Sequence, residues 1–175
     1  MRSDFIYTVS EEIKEMSARS RELKAAIREK KDRAWYEQAE LALLTPQIRV
    51  RYQALAFLRG RSLRDIEPVM RRKVHLSSVK ALIKDFLPEG PVSPEDDVYA
   101  LSLEWNAWVE EAIRHTEDYA TYENDFLGHC TNCKDLSEDY AHQYARRSFL
   151  RAKQYMSIEI ANTEEVETPT EVTPC

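Results

Sequence analysis

Ser10–Leu44 reads SEEIKEMSARSRELKAAIREKKDRAWYEQAELALL, thirty-five residues without a glycine or a proline. Ala, Glu, Lys, Arg and Leu dominate it, the residues that lose least conformational freedom on entering a helix. Thr8 with Glu11 three residues on forms a capping-box pattern, which predicts a helix start near Ser10. Uninterrupted to Leu44, such a helix would be on the order of 50 Å long. Ile13, Met16, Leu23 and Ile27 recur at helical spacing, with Ser20 in the gap. Beyond them the seam meets Lys30, Ala34, Glu37 and Leu41 and decays. The expectation is an amphipathic helix lying on its own domain. The alternative is an arm that pairs with another helix, including self-association through this first helix.

The rest of the chain supports the same fold class. Of 175 residues only three are glycine, and 32% are charged, above the usual quarter. Long β-branched runs are scarce, so the expectation is an all-α protein of five or six helices. No segment approaches the ~18 uninterrupted apolar residues of a membrane span. The first residues lack the apolar stretch of a signal peptide. Three cysteines make no disulfide framework and suit a reducing compartment. A cytoplasmic setting is the expectation.

Punctuation divides the chain into five parts. Residues 1–45 form the long N-terminal helix or arm. Thr45-Pro46, as N-cap and first helical residue, restarts the chain. Residues 46–87 then read as a basic module of three helices, at 47–59, 62–67 and 77–87. In it Ser62 and Asp65 cap the second helix, and Pro68 limits it to about two turns. Residues 88–94 are a Pro-rich linker. Residues 95–161 read as an acidic hairpin of two long helices packed antiparallel, the last running through Ile160. Residues 162–175 form an acidic tail without aromatics and are expected to be disordered. The expected core comprises Leu55, Leu58, Ile66, Val79, Leu82, Ile83, Phe86, Leu101, Trp105, Val109 and Phe149.

Charge is distributed unevenly along these parts. Between Pro46 and Phe86 lie ten cations and three anions, a local charge of +7 in a chain of net −6. Residues 87–175 carry −13, while the first 45 balance. A basic block between acidic flanks implies an anionic partner, either nucleic acid or an acidic protein surface. In outline the three short helices are arranged like a helix-turn-helix. Ser77, Ser78, Lys80 and Lys84 would then lie on the groove-facing helix, and Arg61, Arg64, Arg71, Arg72 and Lys73 would hold phosphates. Pro68 and the long turn Arg71–His75 depart from that motif. A solvated basic face without such a role is the plainer reading, and acidic residues 95–139 covering the module is a third.

Chemistry-bearing motifs are few. His129-Cys130-x-x-Cys133 has the spacing of half a zinc site, with His115 and His142 as the remaining candidates. One such pair without a second predicts a reduced loop and no metal. Glu110, Glu111, Glu117, Asp118, Glu123 and Asp125 read as a solvated acidic face. Trp105, Trp108 and Phe149 are expected in the core, whereas Tyr119, Tyr122 and Tyr140 would mark a protein interface if exposed. There is no Gly-rich phosphate loop, nucleophile elbow or His-Glu-x-x-His pair, so no enzyme and no cofactor is expected. The expected function is a small helical nucleic-acid-binding protein. The alternative is an adaptor or inhibitor, of the kind found in phage and mobile elements, that binds a larger host protein or nucleic-acid machine.

Overall fold

The computed structural model describes residues 1–114, 147 and 150–161. These are mostly helical. Helix α1 spans Arg2–Lys30 and α2 spans Trp35–Leu58, joined by a 3-10 turn at Lys31–Arg33. A second 3-10 turn at Leu63–Asp65 leads to the single-turn helix α3 (Pro68–Arg71), then α4 (Leu76–Leu82) and α5 (Tyr99–Arg114). Residues 150–156 are helical again.

The long first helix is therefore two helices folded into a hairpin. The expected start near Ser10 is corrected too, since α1 begins eight residues earlier and the Ser10 hydroxyl donates to the Ile6 carbonyl. At Lys30-Lys31-Asp32-Arg33 four successive charges occupy every side of the helix, so no apolar stripe can continue there. Lys31 adopts a φ of +51°, which reverses the chain, and fully buried Ala34 is small enough to sit inside the bend. Folding back lets α2 cover Ile13, Ser20 and Leu23, the seam visible in the sequence. Ion pairs set the antiparallel register. Glu12 meets Arg51 at 2.6 Å, Arg19 clasps Glu40 through two bonds of 2.7 and 2.9 Å, and Lys30 meets Glu37 at the bend.

The break expected at Thr45-Pro46 does not occur, because α2 runs straight through Pro46. The ring removes the N–H that would bond to Ala42, but Ala42 is exposed and its carbonyl can take water instead. On either side, the Thr45 hydroxyl donates to the Leu41 carbonyl and the Gln47 amide to that of Leu43. Pro68 is likewise misread as a stop. The segment 62–67 holds one 3-10 turn, and Pro68 opens α3, where a missing N–H costs nothing. The Ser62–Asp65 capping box is present as expected.

The core surrounds the C-terminal half of α2. Gln53 to Leu58 are all buried, with Phe57 edge-on to Trp105 at 5.0 Å and to Trp108 at 5.8 Å. Val9 and Ile13 enter from α1, Leu63 and Val74 from the loops, Val79 from α4, and Val109, Ala112 and Ile113 from α5. Of the expected core, Leu55, Leu58, Val79, Ile83, Phe86, Trp105 and Val109 are buried, and Ile66, Leu82 and Leu101 pack against them. Phe149 lies outside the described residues.

The C-terminal helix ends at Met156 rather than Ile160, because the following backbone is diverted into other hydrogen bonds. The Asn106 amide donates to the Ile158 carbonyl at 3.0 Å and accepts from its N–H at 2.8 Å. The Trp105 indole donates to the Met156 carbonyl. Val92, within the Pro-rich stretch, is buried and exchanges backbone bonds with Glu159 and Ala161, forming an isolated parallel bridge with Ile160. The link between α5 and residue 147 lies outside the described residues, as does the tail 162–175.

Two outcomes test this architecture. Asn106→Leu keeps the volume but strips both bonds from Ile158; it should cost about 1–2 kcal/mol and speed amide exchange at Ile158 selectively. The second concerns pH. Hydrogen bonds from Lys30 and Arg19 hold the carboxyls of Glu37 and Glu40 below their ordinary value of 4.5. Both groups stabilise the hairpin as carboxylates, so their contribution is complete above about pH 4.5 and lost as the pH falls through the lowered values. Thermal melts between pH 6 and 3 should fall more steeply for the native chain than for the double variant Glu37→Gln, Glu40→Gln. Parallel pH profiles would contradict this assignment.

Candidate nucleic-acid interface

The basic segment is positioned by one buried amide. Gln53 sits among Val50, Ala54 and Phe57 on the inward side of α2, where an apolar residue would be usual. Its Nε2 donates to the carbonyls of Met70 at 2.9 Å and Lys73 at 2.8 Å, and its Oε1 accepts from the His75 N–H at 3.2 Å. Both amide protons and one oxygen lone pair are thereby used on α3 and the loop that follows it. Val74, between two of those anchor points, plunges into the core. Arg72 and Lys73, and Arg71 at the end of α3, are thus carried on a backbone held by the Gln53 side chain.

The preceding turn is fixed as firmly. The Ser62 hydroxyl accepts from the Arg64 N–H and donates to the Glu111 carboxylate, tying the 3-10 turn to α5. The Arg71 guanidinium donates to the Arg64 carbonyl at 3.0 Å, bringing turn and loop together. The result is an open cleft of about 640 Å³ lined by Arg64, Arg71 and Arg72 together with Leu63, Pro68, Val69 and Val74. Of the apolar lining, Val69 is 59% exposed, whereas Leu63 and Val74 are buried.

The remaining cations of the block fall elsewhere. Arg61 lies with Arg59, Asp65 and Glu67 at one depression and with Arg2, Glu104 and Glu111 at another. Lys73 is exposed on the loop beside the cleft. Lys80 and Lys84 line a separate hollow with Glu89 and Glu159, and the Lys80 ammonium donates to the Met156 carbonyl. Ser77 and Ser78 are exposed on the first turn of α4, whose Val79 is buried. Arg51 is paired with Glu12. The ten cations therefore do not share one face. Tyr119, Tyr122 and Tyr140, and the loop of His129, Cys130 and Cys133 with His142, lie outside the described residues. Of the acidic run, Glu110 takes Arg114 and Lys153, and Glu111 takes Ser62.

Gln53 was missed in the sequence, although a signal existed. A polar residue three after Val50 and four before Phe57 sits on the buried side of an amphipathic helix, and a buried amide needs partners. What those partners are depends on a loop whose path has no periodicity. Gln53→Leu should leave two carbonyls and one N–H without partners, costing about 2–3 kcal/mol. The melting temperature should drop by roughly 4–10 °C, with loop 70–75 losing exchange protection first. A melt within a degree of the native chain would refute the anchoring role.

No family model matches the chain, and no significant match is found among curated proteins or solved structures. Among the described residues, no helix is long and apolar enough to cross a membrane.

Proposed function

We infer that the chain is a non-enzymatic nucleic-acid-binding protein that holds backbone phosphates at the cleft of Arg64, Arg71 and Arg72. The observation that carries this reading is that three arginines line one opening. Guanidinium forks match phosphate oxygens bidentately, and a fixed backbone reduces the ordering entropy lost on binding. Lys73 extends the positive rim along the same loop. Arg61 and Lys84 would act as outlying phosphate contacts.

In this reading α4 stands where a helix-turn-helix would place its groove helix. At seven residues it is only about 10 Å long. Ser77 and Ser78 are exposed on it and Lys84 is exposed just past its end, while Lys80 is engaged with Met156. Base readout is accordingly a minor part of the proposal, and phosphate contact the major part. The apolar residues that line the cleft with the arginines favour a second reading, in which it receives an acidic segment of a larger protein through a hydrophobic anchor.

Fluorescence anisotropy with labelled duplex and single-stranded oligonucleotides at about 50 mM salt separates the two. Nucleic-acid binding should weaken steeply with salt. Replacing Arg71, Arg72 and Lys73 by Ala should lower the slope of log affinity against log salt by roughly 2–3. No detectable binding to either oligonucleotide at that salt would remove the nucleic-acid reading and leave the protein-docking one.

A further inference from the structure

Helix α2 carries one apolar stripe along its whole length, and only half of it is covered. Val50, Ala54 and Phe57 are buried in the core. The same side of the helix continues toward the bend through Leu43, Ala39 and Trp35, at the i, i+4 spacing of one face. There no described residue covers it: Trp35 is 62% and Leu43 is 71% exposed, and Ala39 is exposed as well. Tyr36, 71% exposed, stacks on Trp35 with ring centroids 3.9 Å apart.

Charge sets this face apart from the rest of the molecule. In a chain that is 32% charged, residues 35–48 contain only Glu37 and Glu40. Both carboxylates are engaged by cations of α1, namely Lys30 and Arg19. The outward side is therefore apolar and electrically neutral, a poor complement for an acidic or basic partner but a good one for itself. The seam of α1 is not available for the same purpose, since Ile13, Ser20 and Leu23 are already buried against α2.

We propose that this stripe is the contact face for a second copy of the chain, with two α2 helices crossing antiparallel at Ala39. A twofold axis there sets Trp35 of each copy against Leu43 of the other, and the alanine lets the helices approach closely. Tyr36 extends the contact on either side. Two aromatic rings, a leucine and their neighbours amount to about 500–600 Å² per copy, at the threshold of a specific interface. An interface of that size fits a dissociation constant of about 1–100 µM. The dimer neither requires nor excludes ligand binding at the arginine cleft.

Analytical ultracentrifugation of the full chain across that range tests the proposal. The weight-average mass should rise from 20.5 kDa toward twice that value, with a blue shift in tryptophan emission as Trp35 leaves water. Trp105 and Trp108 are buried already and should not contribute. Leu43→Glu and Ala39→Glu, at exposed sites, should keep the helical circular dichroism and weaken association at least about tenfold. Tyr7→Glu, exposed near the start of α1, should associate like the native chain. A monomer throughout the range overturns the proposal, including one whose Trp35 is shielded by the chain's own residues. Unchanged association of Leu43→Glu overturns it equally.

Discussion

The rest of the described structure depends on the burial of α2 from Gln53 to Leu58 on all its sides. A surface helix hides one stripe and shows the other to water; this segment hides everything. It must therefore be surrounded, and each neighbour follows from that need. Helix α1 brings Val9 and Ile13, α4 and its flanking loops bring Val74, Val79 and Ile83, and α5 brings Trp105, Trp108 and Val109. Phe57 is the common contact, touching Phe86 and both tryptophans. Edge-to-face packing of this kind adds about 0.5–1.5 kcal/mol per pair beyond area burial.

One polar side chain inside this packing links core to surface. Gln53 is tolerated because three hydrogen bonds satisfy it, and those bonds end on the loop bearing the arginines. Stability and placement of the basic loop are thereby coupled. Gln53 thus holds the end of α3 and the loop after it in place, which explains how a segment of single turns can present a shaped cleft.

Away from this centre, among the described elements, α1 and α2 pack on each other. Their distal halves are held by a small apolar seam and by ion pairs half open to water, each of modest worth. On this hairpin the exposed apolar face of Trp35, Ala39 and Leu43 stands out. The exposed face of α2 and the arginine cleft are thus separate features of the surface: one neutral and apolar, the other cationic.

The sequence by itself determined the helical class, the seam of α1, most of the core on α2, α4 and α5, the Ser62–Asp65 cap and the sign of charge at residues 46–86. Each is a local property: propensity, periodicity or composition acts over a few turns and needs no knowledge of distant residues. Only tertiary structure decided where the first helix turned back. Pro46 is a good local stop, but the gain from burying both sides of α2 outweighed one missing hydrogen bond. Charge at Lys30–Arg33 prevented the seam from continuing and put the bend there instead. The same holds for the cations. Composition showed a block of ten, but which of them converge depends on the bonds of Gln53 and Ser62 to groups far away in sequence. The path of residues 157–161 was decided likewise, by an asparagine about fifty residues earlier. Interactions across such separations leave no periodic trace in the chain, because either partner alone looks like an ordinary polar residue.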